Sequence, residues 1–363
     1  MSSTDTRPTV TVLGGGYSGI KVAKALDDVA DVTLVAPADA FTHNGAAWRA
    51  LVEPEWLDRI FLPYDRLLTR GRFVHDRATE VDGRRVTLAS GQVLEPDHLV
   101  LATGSGYPFP AKVDERNAAT ARARFRQAHE ELRDAKRVLV IGAGPSGLEL
   151  AGEIRAFFPD KAVTIVGADS DVMPGPFDQE LRDELRRQLD ELGVELRLGT
   201  PVRDLPAVPP TTLGDVRVTT ADGEELTADV WYQAFGVKPA TGYLRGALAE
   251  ARRPDGYLRV DAQLRLAVGV YAVGDITDAD RDGIGTAGAQ AELVAANLRA
   301  LITGEGELRQ YVPGPMAIAV PLGPNGGAGQ LPGMDGIAGA EMIAGLKGQT
   351  MLVEPWAALF DAA

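Results

Sequence analysis

Thr9-Val10-Thr11-Val12-Leu13-Gly14-Gly15-Gly16-Tyr17-Ser18-Gly19 is the stretch whose reading decides the fold. Five short, apolar and β-branched residues predict a buried strand. A G-x-G-x-x-G turn follows, and Ile20 to Leu26 then predicts a helix, with Ile20, Ala23 and Leu26 on one face. Val32 to Val35 predicts the next strand and completes a βαβ unit. The pattern returns farther along. Arg137-Val138-Leu139-Val140-Ile141 reads as a strand, Gly142-Ala143-Gly144-Pro145-Ser146-Gly147 as the turn, Leu148 to Ile154 as the start of a helix, and Val163 to Val166 as the following strand. One glycine turn is a weak signal. Two copies, each set between a strand and a helix, predict a duplicated dinucleotide-binding unit.

Each glycine has a separate task in this reading. Gly14 and Gly142 permit the tight turn, Gly16 and Gly144 let backbone N–H groups approach a diphosphate at a positive helix end, and Gly19 and Gly147 allow close packing of helix on strand. The acid expected some twenty positions on, to bind an adenosine ribose, is absent from both copies: the first strand ends in Ala36 and the second in Gly167. Asp39, and Asp169 or Asp171, lie near enough in sequence to substitute. Gly167 removes a charge that would repel a 2′-phosphate, yet no Arg follows to grip one, so NADH and NADPH both stay open.

Outward from these turns, each copy continues in the same order. Phe73 to Leu88 predicts a hairpin with Asp82-Gly83 at its turn, then a strand His98 to Ala102 and Thr103-Gly104. Gly214 to Leu226, with Asp222-Gly223, is followed by Asp229 to Phe235 and Gly236. Asp178 to Leu192 carries leucines at helical spacing, with Gly193 as its C-terminal cap. A last strand, Val270 to Val273, ends at Gly274-Asp275, and a helix is expected over about Thr286 to Leu301. From about Gln310 the chain reads as a small third domain. The expected fold is α/β, with two Rossmann-like dinucleotide-binding domains in a glutathione-reductase-like architecture and a small C-terminal α+β domain. The domains are expected at 1–110 with 243–310, at 111–242, and at 311–363.

Composition narrows the function. The 363 residues include 45% hydrophobic and 24% charged residues, an ordinary globular mix, with a net charge of −14. That charge argues against nucleic acid as a partner and against electrostatic docking to anionic lipid. There are 0 cysteines, which excludes thiolate catalysis, disulfides and Cys-ligated metals. The start, Met-Ser-Ser-Thr-Asp, shows neither a signal-peptide pattern nor a myristoylation signal, and no apolar run of spanning length occurs. The expected compartment is the cytoplasm.

The chain resembles the FAD-dependent pyridine nucleotide oxidoreductases, in the apoptosis-inducing-factor-like branch that includes ferroptosis-suppressor-type quinone reductases. The resemblance rests on Gly14 to Gly19, Phe41 to Ala50, Leu99 to Ser105, Gly142 to Glu153, Val270 to Asp275, and the segment from Pro321 to Gln330. It implies that Gly14, Gly15, Gly16, Tyr17, Ser18 and Gly19 hold the FAD diphosphate. It implies further that Arg49 reaches the flavin side, that Ala78 meets the adenine through its backbone, that Thr103 and Gly104 close over the cofactor, and that Asp275 hydrogen-bonds the ribityl chain. Gly142, Gly144, Pro145, Ser146 and Gly147 would take NAD(P)H as co-substrate. Glu149 corresponds to a family glutamate near the nicotinamide–flavin junction, where it helps relay protons. The first copy carries Lys21 at that place, so the repeat itself does not demand a carboxylate. Plainer roles stand beside these: Glu149 as a first-turn carboxylate, His43 as a structural hydrogen-bonder, Arg49 as a surface ion pair, Asp275 as a turn former.

By the same resemblance, NAD(P)H passes a hydride to FAD, and the electrons go on to a small acceptor, expected to be a quinone entering between the FAD domain and the C-terminal domain. A ferredoxin- or rubredoxin-type protein partner, and a slowly turning redox-sensing interaction protein, are the alternatives. A lipid-soluble quinone would bring peripheral membrane contact. The tail residues Ile337, Met342, Ile343, Leu346, Met351, Leu352, Trp356, Leu359 and Phe360 are candidates for that contact, or for core or a homodimer interface.

Overall fold

Parallel pairing of the predicted strands builds two sheets of the same design. The computed structural model describes residues 7–280 and 284–360. In the first sheet Thr9–Leu13 lies between Asp31–Ala36 and His98–Leu101, all parallel. Val270–Ala272 adds beside His98–Leu101, and Arg72–His75 adds beyond Asp31–Ala36. Antiparallel Arg265–Ala267 completes six strands. The second sheet repeats the centre of this order: Arg137–Ile141 lies between Ala162–Val166 and Val230–Gln233, with Val194–Arg197 outside. The predicted strands are buried almost throughout, as parallel strands covered on both faces must be.

The helices after the glycine turns start earlier than expected, at Tyr17 and Pro145, and run to Leu26 and Phe157. They start there because the last two non-glycine residues of each motif already adopt helical backbone. The helix Gln179–Glu191 and its glycine stop, Gly193 at φ +69°, follow the leucine spacing. One expectation is corrected. Phe73 is not part of a hairpin: Arg72–His75 joins the main sheet, and the hairpin is Ala78–Asp82 with Arg85–Leu88. The cause is Asp27, whose buried carboxylate accepts the N–H groups of Thr69, Arg70 and Gly71 at 2.6, 3.1 and 2.5 Å and steers the chain into the sheet.

Two short strands, Ser105–Gly106 and Lys238–Pro239, pair antiparallel where the chain passes from one sheet to the other and back. The last region is a hairpin, Ile318–Leu322 with Gly326–Gln330, and short helical turns between Ala340 and Ala357. The hairpin packs on the second motif helix so closely that a Cβ on Gly152 would stand 2.5 Å from Leu322 Cα. Of the apolar tail residues, Ile343, Met351, Trp356 and Phe360 are buried, while Met342, Leu346 and Leu352 are exposed. No helix among the described residues is long and apolar enough to cross a membrane.

Candidate active site

The two glycine turns superpose in their chemistry. Gly14 and Gly142 have φ of +110° and +122°, and a Cβ on them would stand 2.1 Å from the Ala102 carbonyl oxygen and 2.5 Å from that of Ala234. On Gly19 and Gly147 it would stand 1.9 and 2.0 Å from the carbonyls of Gly14 and Gly142. On Gly16 and Gly144 it would meet nothing within 4 Å. The third glycine of each turn therefore packs helix on strand, and the middle one keeps a cradle open. Gly16 and Gly144 are also the N-caps of their helices, and no side chain caps either. Uncapped first-turn N–H groups form an anion site.

The cleft in front of these turns has a volume of about 710 Å³. It is lined by the stretch from Gly14 to Ser18, by Thr103, Gly104 and Asp275, and by Pro145, Ser146 and Glu149 of the second turn and its helix. Gly19, Gly142, Gly144, Gly147, Arg49 and Ala78 are not among the residues that line it. Ala36 lines the cleft, so the wall is neutral where an acid was expected. Asp39 is engaged elsewhere, accepting from Ala118 N and Asn117 Nδ2 at 2.8 and 2.9 Å. Asp171 likewise accepts from Val172 N and Gln179 Nε2.

The polar groups of the cleft come from distant segments. Glu149 Oε1 accepts from Lys347 Nζ at 2.7 Å, and Lys347 also reaches the Ala319 carbonyl. Asp275 Oδ2 accepts from Lys112 Nζ at 2.7 Å and from Ser105 Oγ at 2.7 Å. Burial would raise the Asp275 carboxyl, but the Lys112 charge and these hydrogen bonds outweigh it and hold the group below its ordinary value. Thr103 Oγ1 contacts the Ala240 carbonyl at 2.8 Å and Tyr243 Oη at 3.0 Å, tying the two crossing segments together. Tyr64, absent from the sequence-based candidates, also lines the cleft and donates to the Gly15 carbonyl at 2.7 Å, which ties down the first turn.

Arg49 and Tyr17 show how the wall is braced. Arg49 is 3% exposed and makes a two-pronged contact with Glu153, 2.6 and 2.9 Å, plus a bond to the Gly348 carbonyl at 2.9 Å. Burial pushes the Glu153 carboxyl up, and the guanidinium opposes that shift. Tyr17 Oη lies 3.2 Å from His43 Nδ1 and accepts from Gly45 N at 2.9 Å, while His43 Nε2 meets the Met351 carbonyl at 2.7 Å. The carbonyl only accepts, so Nε2 carries the proton and Nδ1 accepts from Tyr17.

The donor set suits a dinucleotide. The wall offers two uncapped helix starts for diphosphates. Asn44 lines the cleft, and its Oδ1 is buried with no partner, open to a ligand donor. Trp48 adds an apolar plate.

A family model for pyridine nucleotide-disulphide oxidoreductases matches residues 64–298. The chain is 32% identical over 344 residues to ferroptosis suppressor protein 1 of Taeniopygia guttata, covering 91% of this chain and 90% of the relative. The chain belongs to the pyridine nucleotide-disulphide oxidoreductase family. As a member it is an FAD-dependent NAD(P)H oxidoreductase. It is also 28% identical to apoptosis-inducing factor homolog B of Dictyostelium discoideum, covering 90% of each chain. The fold matches that of the sulfide:quinone oxidoreductase of Aquifex aeolicus with a TM-score of 0.75 at 18% identity, over 97% of this chain and 91% of that one. Having 0 cysteines, this family member lacks a dithiol of its own to carry electrons away from the flavin.

Proposed function

We propose that this oxidoreductase passes electrons from NAD(P)H through FAD to a quinone. FAD, when bound, supplies the step that takes a hydride from the nicotinamide and releases two electrons to an acceptor. The chain's own work is placement. The turn at Gly16 and the first turn of the helix from Tyr17 hold the FAD diphosphate, Asp275 receives the ribityl hydroxyls, and Thr103-Gly104 closes over them. The turn at Gly144, Pro145 and Ser146 holds NAD(P)H. In this reading FAD belongs to 1–110 with 243–310, the nicotinamide to 111–242, and 311–363 covers the junction.

The observation that carries the acceptor is the Glu149–Lys347 pair. It brings a carboxylate of the second unit and an ammonium of the C-terminal region to the cleft wall at 2.7 Å. A quinone needs two protons with its two electrons. The hydride brings one, and Lys347 Nζ, recharged from solvent through Glu149, is placed to give the other. The lack of cysteine and the likeness to ferroptosis suppressor protein 1 support the same acceptor class.

Stopped-flow reduction by NADH and NADPH, then reoxidation by soluble quinones, by oxygen and by a ferredoxin, tests the reading. Quinones should reoxidise the enzyme at least about tenfold faster than oxygen, and K347M should slow that half-reaction while sparing reduction. Fast reoxidation by the iron–sulfur protein alone would overturn it.

A further inference from the structure

Residues 105–115 carry the chain from the first sheet toward the helix Ala118–Asp134 that precedes the second. Lys112 lies on this crossing, yet its ammonium turns back into the cleft. Nζ donates to Asp275 Oδ2 at 2.7 Å, to Ser105 Oγ at 2.6 Å and to the Ser105 carbonyl at 3.0 Å. All three ammonium donors are therefore committed. Ser105 Oγ donates in turn to the same Asp275 Oδ2. One carboxylate oxygen is thus held from two sides. Among the described residues Asp275 Oδ1 makes no hydrogen bond, and it belongs to a residue of the cleft wall.

A carboxylate on a turn, beside Gly274 at φ +76°, has freedom to rotate unless something fixes it. Lys112 and Ser105 remove that freedom and leave one oxygen to receive a ligand hydroxyl. The Lys112 and Asp275 side chains are 30% and 36% exposed, so water competes only in part for the contact. A free surface lysine would lose several rotamers for little return. Here the loss is met by three hydrogen bonds, two of them to charged or hydroxyl partners in the cleft.

We propose that Lys112 is a positioning residue of the flavin site: from the crossing segment it fixes Asp275 so that the remaining carboxylate oxygen accepts the hydroxyls of FAD. This rests on the reading of Asp275 as the group that holds the ribityl chain. It adds that the carboxylate works only while its other oxygen is tethered.

The test uses full-length apoprotein reconstituted with FAD, read by quenching of flavin fluorescence and by the visible absorption envelope of the bound flavin. D275N should weaken FAD binding. K112M should weaken it by about tenfold or more and alter the absorption envelope, as loss of a charge-assisted contact does. In the D275N background K112M should add less than about twofold, since the tether then has nothing to hold. K112R should recover most of the affinity, and S105A, a milder change at the same oxygen, should give a smaller loss in the same direction. If D275N weakens FAD binding but K112M leaves affinity and spectrum unchanged, the tether is refuted and the reading of Asp275 stands. If K112M acts equally in both backgrounds, Lys112 works independently of Asp275 and the proposal falls. If D275N leaves FAD affinity intact, the reading of Asp275 itself is wrong.

Discussion

Gly16 and Gly19 sit one helical turn apart, yet an added methyl group does different things at each. At Gly16 it enters open space, and φ of −80° suits alanine. G16A should therefore fold normally and lose FAD, because the methyl occupies the diphosphate cradle. At Gly19 the methyl would stand 1.9 Å from a backbone oxygen, so G19A should lower stability by about 1–3 kcal/mol with or without FAD. Apoprotein melting temperature and flavin content separate the two; equal melting losses would contradict the assignment of tasks. His43 carries a second residue-scale prediction. Burial holds its pKa below the ordinary 6.5, opposed by its bond to the Met351 carbonyl. The unfolded chain then binds more protons than the folded one as pH falls below about 6.5, so stability declines there down to the folded pKa. H43Q keeps a donor but does not titrate. The wild-type melting temperature should fall more steeply than that of H43Q between pH 7.5 and 5, and parallel curves would refute the idea.

The second motif helix, Pro145–Phe157, shows what sequence makes legible and what it hides. Its existence, its glycines and its place between strands were readable, because each depends on residues close in sequence, although it begins at Pro145 and not at Leu148. Both glycine turns were legible for that reason, down to which glycine packs and which stays open. Glu149 and Glu153, one turn apart, are different. Their partners, Lys347 and Arg49, lie 198 and 104 residues away, and no periodicity records such a pairing. Arg49 could be singled out by resemblance, but its burial against Glu153 and the Gly348 carbonyl could not. The Lys112–Asp275 contact, across 163 residues, was hidden in the same way. The Arg49–Glu153 pair, with side chains 3% and 1% exposed, joins the helix Ala47–Val52, this helix and the C-terminal region. E153Q leaves the buried guanidinium with only Glu53, 4.0 Å away, as counter-charge and should cost about 3–5 kcal/mol. The double variant R49M/E153L removes both charges and should recover most of that loss. Urea unfolding of the three proteins decides; a double variant no better than E153Q would show that the charges themselves are required.

At the scale of the whole molecule, electrons must leave a flavin site that has no thiol beside it. With 0 cysteines in the chain, a maleimide reagent should leave NAD(P)H oxidation unchanged, and inhibition at matched reagent levels would mean that the reagent acts elsewhere. The last region closes the first unit as well as the cleft. Trp356 packs against Tyr17 with ring centroids 4.6 Å apart, Phe360 against Phe41 at 5.8 Å, and Lys21 Nζ sits 5.4 Å from the Trp356 ring. Tyr17 is on the cleft wall, so the tail braces that wall. Losing a buried tryptophan costs about 3–5 kcal/mol, a large part of the stability of an ordinary domain. W356A should therefore melt well below wild type even as apoprotein. A purely structural tryptophan would lower the melting points of apoprotein and FAD-loaded protein equally, since ligand adds stability only through its own affinity. If Trp356 also sets Tyr17 against the cofactor, FAD binds W356A more weakly, and at equal FAD concentration the gap between loaded and apo melting points shrinks. A gap of unchanged width would make Trp356 a core residue alone.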